Sequence, residues 1–271
     1  MFSLIPMVWS FFLGFMHWGL INKPTFAGLD NYIELFYDKT FWLTLKNTVI
    51  FSFIKVPLNL FLSLLLAILL NKKNIGNYIN EFFRTVIFIP SVCSAVSVAI
   101  IWQPLMESSK SGLLNHYLNV LGFDPIPFLS STQWAMPSVI FVGTWMELGF
   151  FMIIFLAGLQ GIPSMYYEAA SIDGANEFQK FFKITLPLIS PTTFFALITS
   201  LISSFQIFSL TSVLTNGGPA NSTNTLVMYL YQNGFRLFRM GYASAIAEVL
   251  FVVILIFTFI QNQFSKKWVN F

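Results

Sequence analysis

Residues 162–191 read IPSMYYEAASIDGANEFQKFFKITLPLISP, a polar island between two long apolar runs. Pro163 and Ser164 open a short helix with Ser164 as its N-cap, and Ala169 and Ala170 put almost no bulk on one of its faces. Gly174, after Ile172 and Asp173, supplies the left-handed residue that stops a helix and turns the chain. A second helix is predicted from about Ala175 to Lys183, with Glu177 at its positive end and Lys180 and Lys183 at its negative end. Pro187 and Pro191 mark the entry into the next apolar run. A plain connector needs none of these features. Small residues, a turn glycine and Phe178, Phe181 and Phe182 predict an element shaped to dock into a groove of another protein.

The flanking runs fix the class. The 271 residues are 56% hydrophobic and only 9% charged, against roughly 25% charged in soluble domains, and the mean hydropathy is +0.73. The chain therefore reads as a polytopic membrane protein, in which only helices or closed barrels satisfy the backbone. Its apolar runs are continuous rather than alternating, which selects an all-α fold over a barrel. A net charge of +3, without a basic cluster, gives no sign of nucleic-acid binding. Cys93 is the single cysteine, has no intrachain disulfide partner, and reads as a small packed hydrophobe.

Six spans are predicted in one transmembrane domain covering 1–271, at about 2–21, 48–70, 85–102, 134–159, 186–214 and 242–260, with the polar connector at 162–187. The first run has no preceding basic residue, an apolar part too long for a signal peptide and no small-residue cleavage site, so it reads as a span. Residues 22–45 read as an amphipathic segment on the outer surface. Leu114, Tyr117, Leu118 and Leu121 recur at helical spacing before Gly122, which predicts a short interfacial helix. Ser131 or Thr132 caps the fourth span, and Asn216-Gly217-Gly218-Pro219 turns the chain after the fifth.

The motif Glu168-Ala169-Ala170, followed by Asp173-Gly174-Ala175 and Ile184-Thr185-Leu186-Pro187, resembles the EAA loop of ABC importer permeases. Ile162-Pro163, Tyr167, Phe178 and Phe182 resemble the sugar branch of that family, the maltose-permease-like subunits. Gly28-Leu29-Asp30-Asn31-Tyr32, Leu214 to Pro219 and Gly241-Tyr242-Ala243-Ser244-Ala245 extend the likeness over nearly the whole chain. The resemblance implies a multi-pass subunit of a bacterial inner (cytoplasmic) membrane, with lipid around it and a carbohydrate as cargo. It implies a second, homologous permease as heterodimer partner, two ATP-binding subunits, and an extracellular solute-binding protein. ATP and magnesium would sit on the ATPase subunits and no cofactor on this chain, which lacks the G-x-x-x-x-G-K-[ST] phosphate cradle and would not be an enzyme. The coupling residues implied are Tyr167, Glu168, Ala169, Ala170, Asp173, Gly174, Ala175, Phe178 and Phe182.

Orientation also comes from the resemblance. With both termini cytoplasmic, Lys72, Lys73, Arg84, Lys180, Lys183, Lys266 and Lys267 lie inside, and Lys23, Lys39, Lys46, Lys110, Arg236 and Arg239 outside. Seven charges against six do not decide it; the need of the EAA-like loop to meet ATPases does.

Three ionisable residues fall inside predicted spans, Lys55, Glu147 and Glu248, each costing roughly 2.5–3.5 kcal/mol at a helix centre unless it faces protein or water. A proton relay through Glu147 and Glu248 would describe a stand-alone secondary transporter; bonding to neighbouring helices is the blander reading. In the fifth span Ser200, Ser203, Ser204 and Ile207 share one helical face, continued by Thr211 and flanked by Gln206. In membranes such stripes also serve close packing. In the maltose-permease-like family the corresponding face lines the sugar cleft, opposite the segment matching Met146, Glu147 and Phe150. A permease for a non-sugar solute is the alternative within the family. His17 and His116 lie apart with no metal-binding motif, and Asn221-Ser222-Thr223 matches a glycosylation pattern by chance.

Overall fold

The computed structural model describes residues 4–21, 23–71, 77–109 and 112–269. Lys72, Lys73 and Lys110, counted above for orientation, lie outside the described residues. Among the described residues the regular elements are helices, apart from one hairpin of two-residue strands (β1, Met16–His17; β2, Thr25–Phe26). The chain forms two compact units.

The first unit comprises Met1–Ser52, Ala99–Val139 and Ser203–Phe257. It begins with α1 (Leu4–Gly14). Within the run expected at 2–21 the helix ends at Gly14 and not at 21, because the chain enters the hairpin there. Asn31, at the start of α2 (Asp30–Tyr37), is buried and donates to the carbonyls of Gly14 (2.8 Å) and Met16 (3.0 Å). Gly14 also sits so close to its neighbours that a Cβ there would lie 2.2 Å from Glu248 Oε1.

Only α2 of the expected 22–45 surface segment is a separate amphipathic helix. The next helix, α3 (Lys39–Asn71), starts nine residues before the predicted 48, because the Asp38 carboxylate accepts the Thr40 N–H (2.8 Å) and caps a new helix there. The same carboxylate accepts hydroxyls from Tyr229 and Tyr242 (2.7 Å for the latter), tying the α2–α3 junction to two later elements. Burial works to raise the Asp38 pKa, but the bonds from Tyr229, Tyr242 and the backbone at Thr40 and Phe41 outweigh it and hold it below the ordinary value. Its contribution to stability is present above the unfolded carboxylate pKa and lost as pH falls through the lower folded one. Asp38→Asn is therefore expected to flatten the acid limb of a stability–pH profile in detergent; an unchanged limb would disprove that role.

The inner stretch of α3 carries buried Thr44, Asn47, Thr48 and Ser52. Asn47 donates to the carbonyls of Asn221 (2.8 Å) and Asn224 (3.0 Å), and Thr48 Oγ1 accepts the N–H of Leu226 (2.9 Å). These side chains satisfy the backbone of the irregular segment 215–225, which bends at Asn216 (φ 49°) and Gly217 (φ 77°). Without them its polar groups would be buried unpaired. The unit also holds most of α5 (Ala95–Leu105), α6 (Leu113–Val120), α12 (Ser209–Leu214), α13 (Leu226–Tyr231) and most of α14 (Met240–Ser265). The short helix α6 lies where its spacing predicted, and Gly122 takes the left-handed conformation after it (φ 83°).

The second unit comprises Phe53–Val98, Ile140–Ile202 and Thr258–Phe271. In it Arg84, on α4 (Asn77–Val92), donates to the Leu70 carbonyl (2.8 Å) at the end of α3. The predicted straight span at 85–102 is broken: α4 and α5 meet at 101° across Cys93 and Ser94. Pro90 and the side-chain bonds of Ser91 to Phe88 O and Cys93 to Ile89 O compete with the helix ladder there. Cys93 is accordingly exposed rather than packed.

The fourth predicted span is α7 (Ala135–Gln160), whose preceding turn is closed by Ser131 Oγ accepting the Gln133 N–H. The fifth is broken twice. A π-helical turn (Phe181–Thr185) and α10 (Leu186–Leu188) precede α11 (Ser190–Phe205), with a bend of 62°, and α11 ends before α12 begins at Ser209. Among the described residues three helices are long and apolar enough to cross a membrane (α3, α7 and α14), and five if each bent pair counts as one span.

Candidate functional site

The polar connector folds as a helix, a turn and a helix. Pro163, extended at ψ 133°, is the N-cap of α8 (Ser164–Ile172), so Ser164 is its first residue and not its cap. Proline cannot offer an N–H, and placing it just outside the helix costs nothing there. Gly174 adopts φ +79°, and Ala175 N–H reaches the Ala170 carbonyl (2.9 Å) to close the turn. The second helix is shorter than 175–183: α9 covers Glu177–Lys180. Asn176 starts it, with its side chain accepting the Gln179 N–H (2.8 Å) while Gln179 Oε1 accepts the Asn176 N–H (2.9 Å), a reciprocal cap readable from N-x-x-Q. The π turn then widens the ladder by one residue.

Of the predicted coupling residues, Glu168, Ala169, Asp173, Gly174, Phe178 and Phe182 are exposed, while Ala170, Ala175 and Tyr167 are half-buried. The Tyr167 hydroxyl is bonded to Thr185 Oγ1 (2.9 Å), fastening α8 to the π turn. The Glu168 side chain makes no hydrogen bond among the described residues. Phe178 is 72% exposed and its ring lies 4.5 Å from that of Phe182, which also meets Phe181 edge-on. Tyr167, Phe178, Phe181 and Thr185 share a groove of about 400 Å³ with Ile68, Asn71 and Leu159. A pair of short helices thus presents a small-residue face and an aromatic cluster that no described residue covers.

The second set is less uniform. Glu147, on α7, forms an ion pair with Lys55 of α3, which is 1% exposed. One α-turn further along α3, Asn59 and Ser63 are also buried, and Ser63 Oγ donates to the Leu148 carbonyl (3.0 Å). Phe150 is exposed and Met146 half-buried. Ser200, Ser204 and Thr211 are fully buried, whereas Ser203 and Gln206 are exposed. The expected single stripe is corrected: α11 ends at Phe205, so Gln206 and Ile207 leave the helix, and the freed Ile207 carbonyl accepts the Thr225 hydroxyl (3.0 Å). Thr211 Oγ1 donates to the Phe208 carbonyl (2.9 Å), and buried small hydroxyl residues such as Ser200 and Ser204 let helices pack closely, whereas Ser203 and Gln206 lie at the surface.

Sequence reading missed the partnership of Lys55 and Glu147, although both were conspicuous as lone ionisable groups in apolar runs. It also missed that of Glu248, whose Oε2 accepts the Tyr32 hydroxyl (2.5 Å). The Tyr32 pKa is raised, first by burial and then by this bond. Glu147 and Glu248 are each tied to a different partner, one in each unit.

Relatives of this architecture are transport proteins. The chain is 39% identical to the probable ABC transporter permease protein YesP of Bacillus subtilis (strain 168), over 100% of this chain and 87% of that protein. It is 36% identical to the lactose transport system permease protein LacF of Rhizobium radiobacter, over 98% of this chain and 89% of that one. Among solved structures it matches a chain of the bacterial alginate ABC transporter in complex with alginate pentasaccharide-bound periplasmic protein, at 27% identity and a TM-score of 0.86, over 98% of this chain and 89% of that one. The profile of the family described as binding-protein-dependent transport system inner membrane component matches residues 59–270. The all-helical membrane fold thus falls within a known lineage, and the chain belongs to the family of binding-protein-dependent transport system inner membrane components.

Proposed function

We propose that this permease carries a carbohydrate, pairs with a second, homologous permease, and is driven by two ATPase subunits that hold ATP and magnesium. A sugar-loaded solute-binding protein delivers the cargo on the side facing away from the ATPases. The sugar reading is supported by relatives named for lactose and alginate transport. Those matches lend no support to a stand-alone proton-coupled carrier. Both termini and the 162–187 connector face the cytoplasm, and the short helices α8 and α9 seat in the ATPase pair.

One observation carries the lever assignment: α8 and α9 meet at Gly174 with Glu168, Phe178 and Phe182 exposed among the described residues. ATP closes the ATPase pair, the helix pair moves with it, and α7 and α11 follow because each is continuous with one end of the connector. Ser203, Gln206, Phe150 and Glu147 are the residues left to meet the cargo; Glu147 offers carboxylate oxygens to sugar hydroxyls and Phe150 a ring face.

Gly174→Val tests the lever. Nothing lies within 4 Å of a Cβ at Gly174, so the penalty comes from φ +79° alone, about 1–2 kcal/mol for any L-residue and more for a β-branched one. The variant is expected to insert and assemble normally while receptor-stimulated ATP hydrolysis in proteoliposomes falls by about tenfold, the equivalent of about 1.4 kcal/mol. Hydrolysis at the parental rate would remove the helix pair from the drive train.

A further inference from the structure

We infer that the pocket between the N-terminal hairpin and the start of α14 is a binding site for the phosphate of a membrane phospholipid. This rests on the chain being a membrane subunit and not on its cargo. The cavity has a volume of about 360 Å³, and its lining includes His17, Lys23, Thr25, Arg239 and Tyr242. It exists because two glycines let backbone meet backbone. A Cβ on Gly241 would lie 1.9 Å from the Met16 carbonyl oxygen, and one on Gly19 would lie 3.1 Å from that of Phe238. Gly241 N–H also donates to the Trp18 carbonyl (3.2 Å), which locks the hairpin against α14.

The charges are arranged for an anion. Arg239 donates one Nη2 bond to Glu34 (2.5 Å) and lies 4.5 Å from the centre of the Tyr242 ring, so its guanidinium is held in place with further N–H groups to spare. Lys23 is exposed and makes no ion pair among the described residues. His17 is engaged with Asp30 at 3.3 Å. A fixed guanidinium beside a free ammonium is the donor pattern that phosphate oxygens take up.

The rim decides between a lipid and a soluble anion. Ile21 is 87% exposed and Phe26 81%, and Leu237 and Phe238 are exposed as well. Phe238 belongs to the lining, Phe26 and Leu237 adjoin lining residues in sequence, and Ile21 lies between the lining residues Gly19 and Lys23. An apolar collar around a cationic pocket matches the boundary of a bilayer, where acyl chains meet headgroups. Below it, α1 exposes Leu4, Ile5, Val8, Trp9 and Phe12, and Phe11 meets Phe251 of α14 edge-on, forming a track for acyl chains.

The test is native mass spectrometry of the assembled transporter, stripped of lipid and then given phosphatidylglycerol. Lys23→Glu is expected to lower the lipid retained by about tenfold, and Lys23→Arg to restore it. Lys23 is exposed, so neither variant endangers folding. Equal retention by the parent and Lys23→Glu would overturn the proposal. Displacement of the lipid by millimolar inorganic phosphate would overturn its lipid source in favour of a soluble anion. Loss of receptor-stimulated hydrolysis in Lys23→Glu with lipid retention intact would overturn it in favour of an acidic patch of the receptor.

Discussion

Lys55→Met is expected to lower the stability of the protein by about 3–5 kcal/mol, seen as a large drop in the melting temperature of the detergent-purified complex. Lys55 is 1% exposed, and its partner Glu147 is 24% exposed. Removing the ammonium leaves a carboxylate in an apolar surround with its counter-charge gone. Breaking one side of a buried pair is costly for that reason, whereas removing both charges together is often neutral. The double variant Lys55→Met/Glu147→Gln should therefore recover most of the loss. If the single variant melts like the parent, the pair does not bear on stability. If the double variant is as poor as the single one, Glu147 has a further partner that the ion pair does not account for. Transport separates the two roles of Glu147: should the recovered double variant still move cargo at the parental rate, Glu147 would have no part in the path.

Gly149→Ala should be nearly as damaging although it adds a single methyl group. A Cβ at Gly149 would lie 2.2 Å from the Ile87 carbonyl oxygen and 2.6 Å from Phe88 Cα, both backbone atoms. Backbone cannot rotate aside, so α7 and α4 must separate where small residues let membrane helices meet closely. Overpacking of this kind costs about 1–3 kcal/mol, and the upper part of that range is expected because no rotamer relieves the clash. Gly158→Ala is the control: its Cβ would meet Thr192 Oγ1 at 2.6 Å, a side-chain atom that can turn away. The yield of monodisperse complex should fall sharply for Gly149→Ala and only slightly for Gly158→Ala. Equal yields would mean that the helix contact at Ile87 gives way more easily than backbone packing allows.

The two substitutions bear on different levels of the fold. Lys55 and Glu147 stand out in the sequence as isolated charges, yet nothing in their spacing of 92 residues says that they meet. Gly149 carries no signal at all, since a glycine in an apolar run is compatible with a dozen environments. The lever helices are the opposite case. Gly174, Asn176 and Gln179 act on residues two to five positions away, so their turn and cap follow from local chemistry alone.

Composition and hydropathy were enough to determine that this chain is a helical membrane protein, because lipid leaves the backbone few other ways to satisfy its hydrogen bonds. The local pattern around Gly174 was enough to determine that a small helical pair stands apart from the spans. Tertiary structure decided where the later apolar runs break, around Thr185 and Gln206, since those breaks are held by side chains 18 residues away, Tyr167 on Thr185 and Thr225 on the Ile207 carbonyl, whereas the break at Cys93 has local causes in Pro90, Ser91 and Cys93 itself. It alone decided, too, which buried polar side chains found partners and which stayed at the surface. Hydropathy registers how much polarity a segment holds, whereas the energetic outcome depends on what that polarity meets.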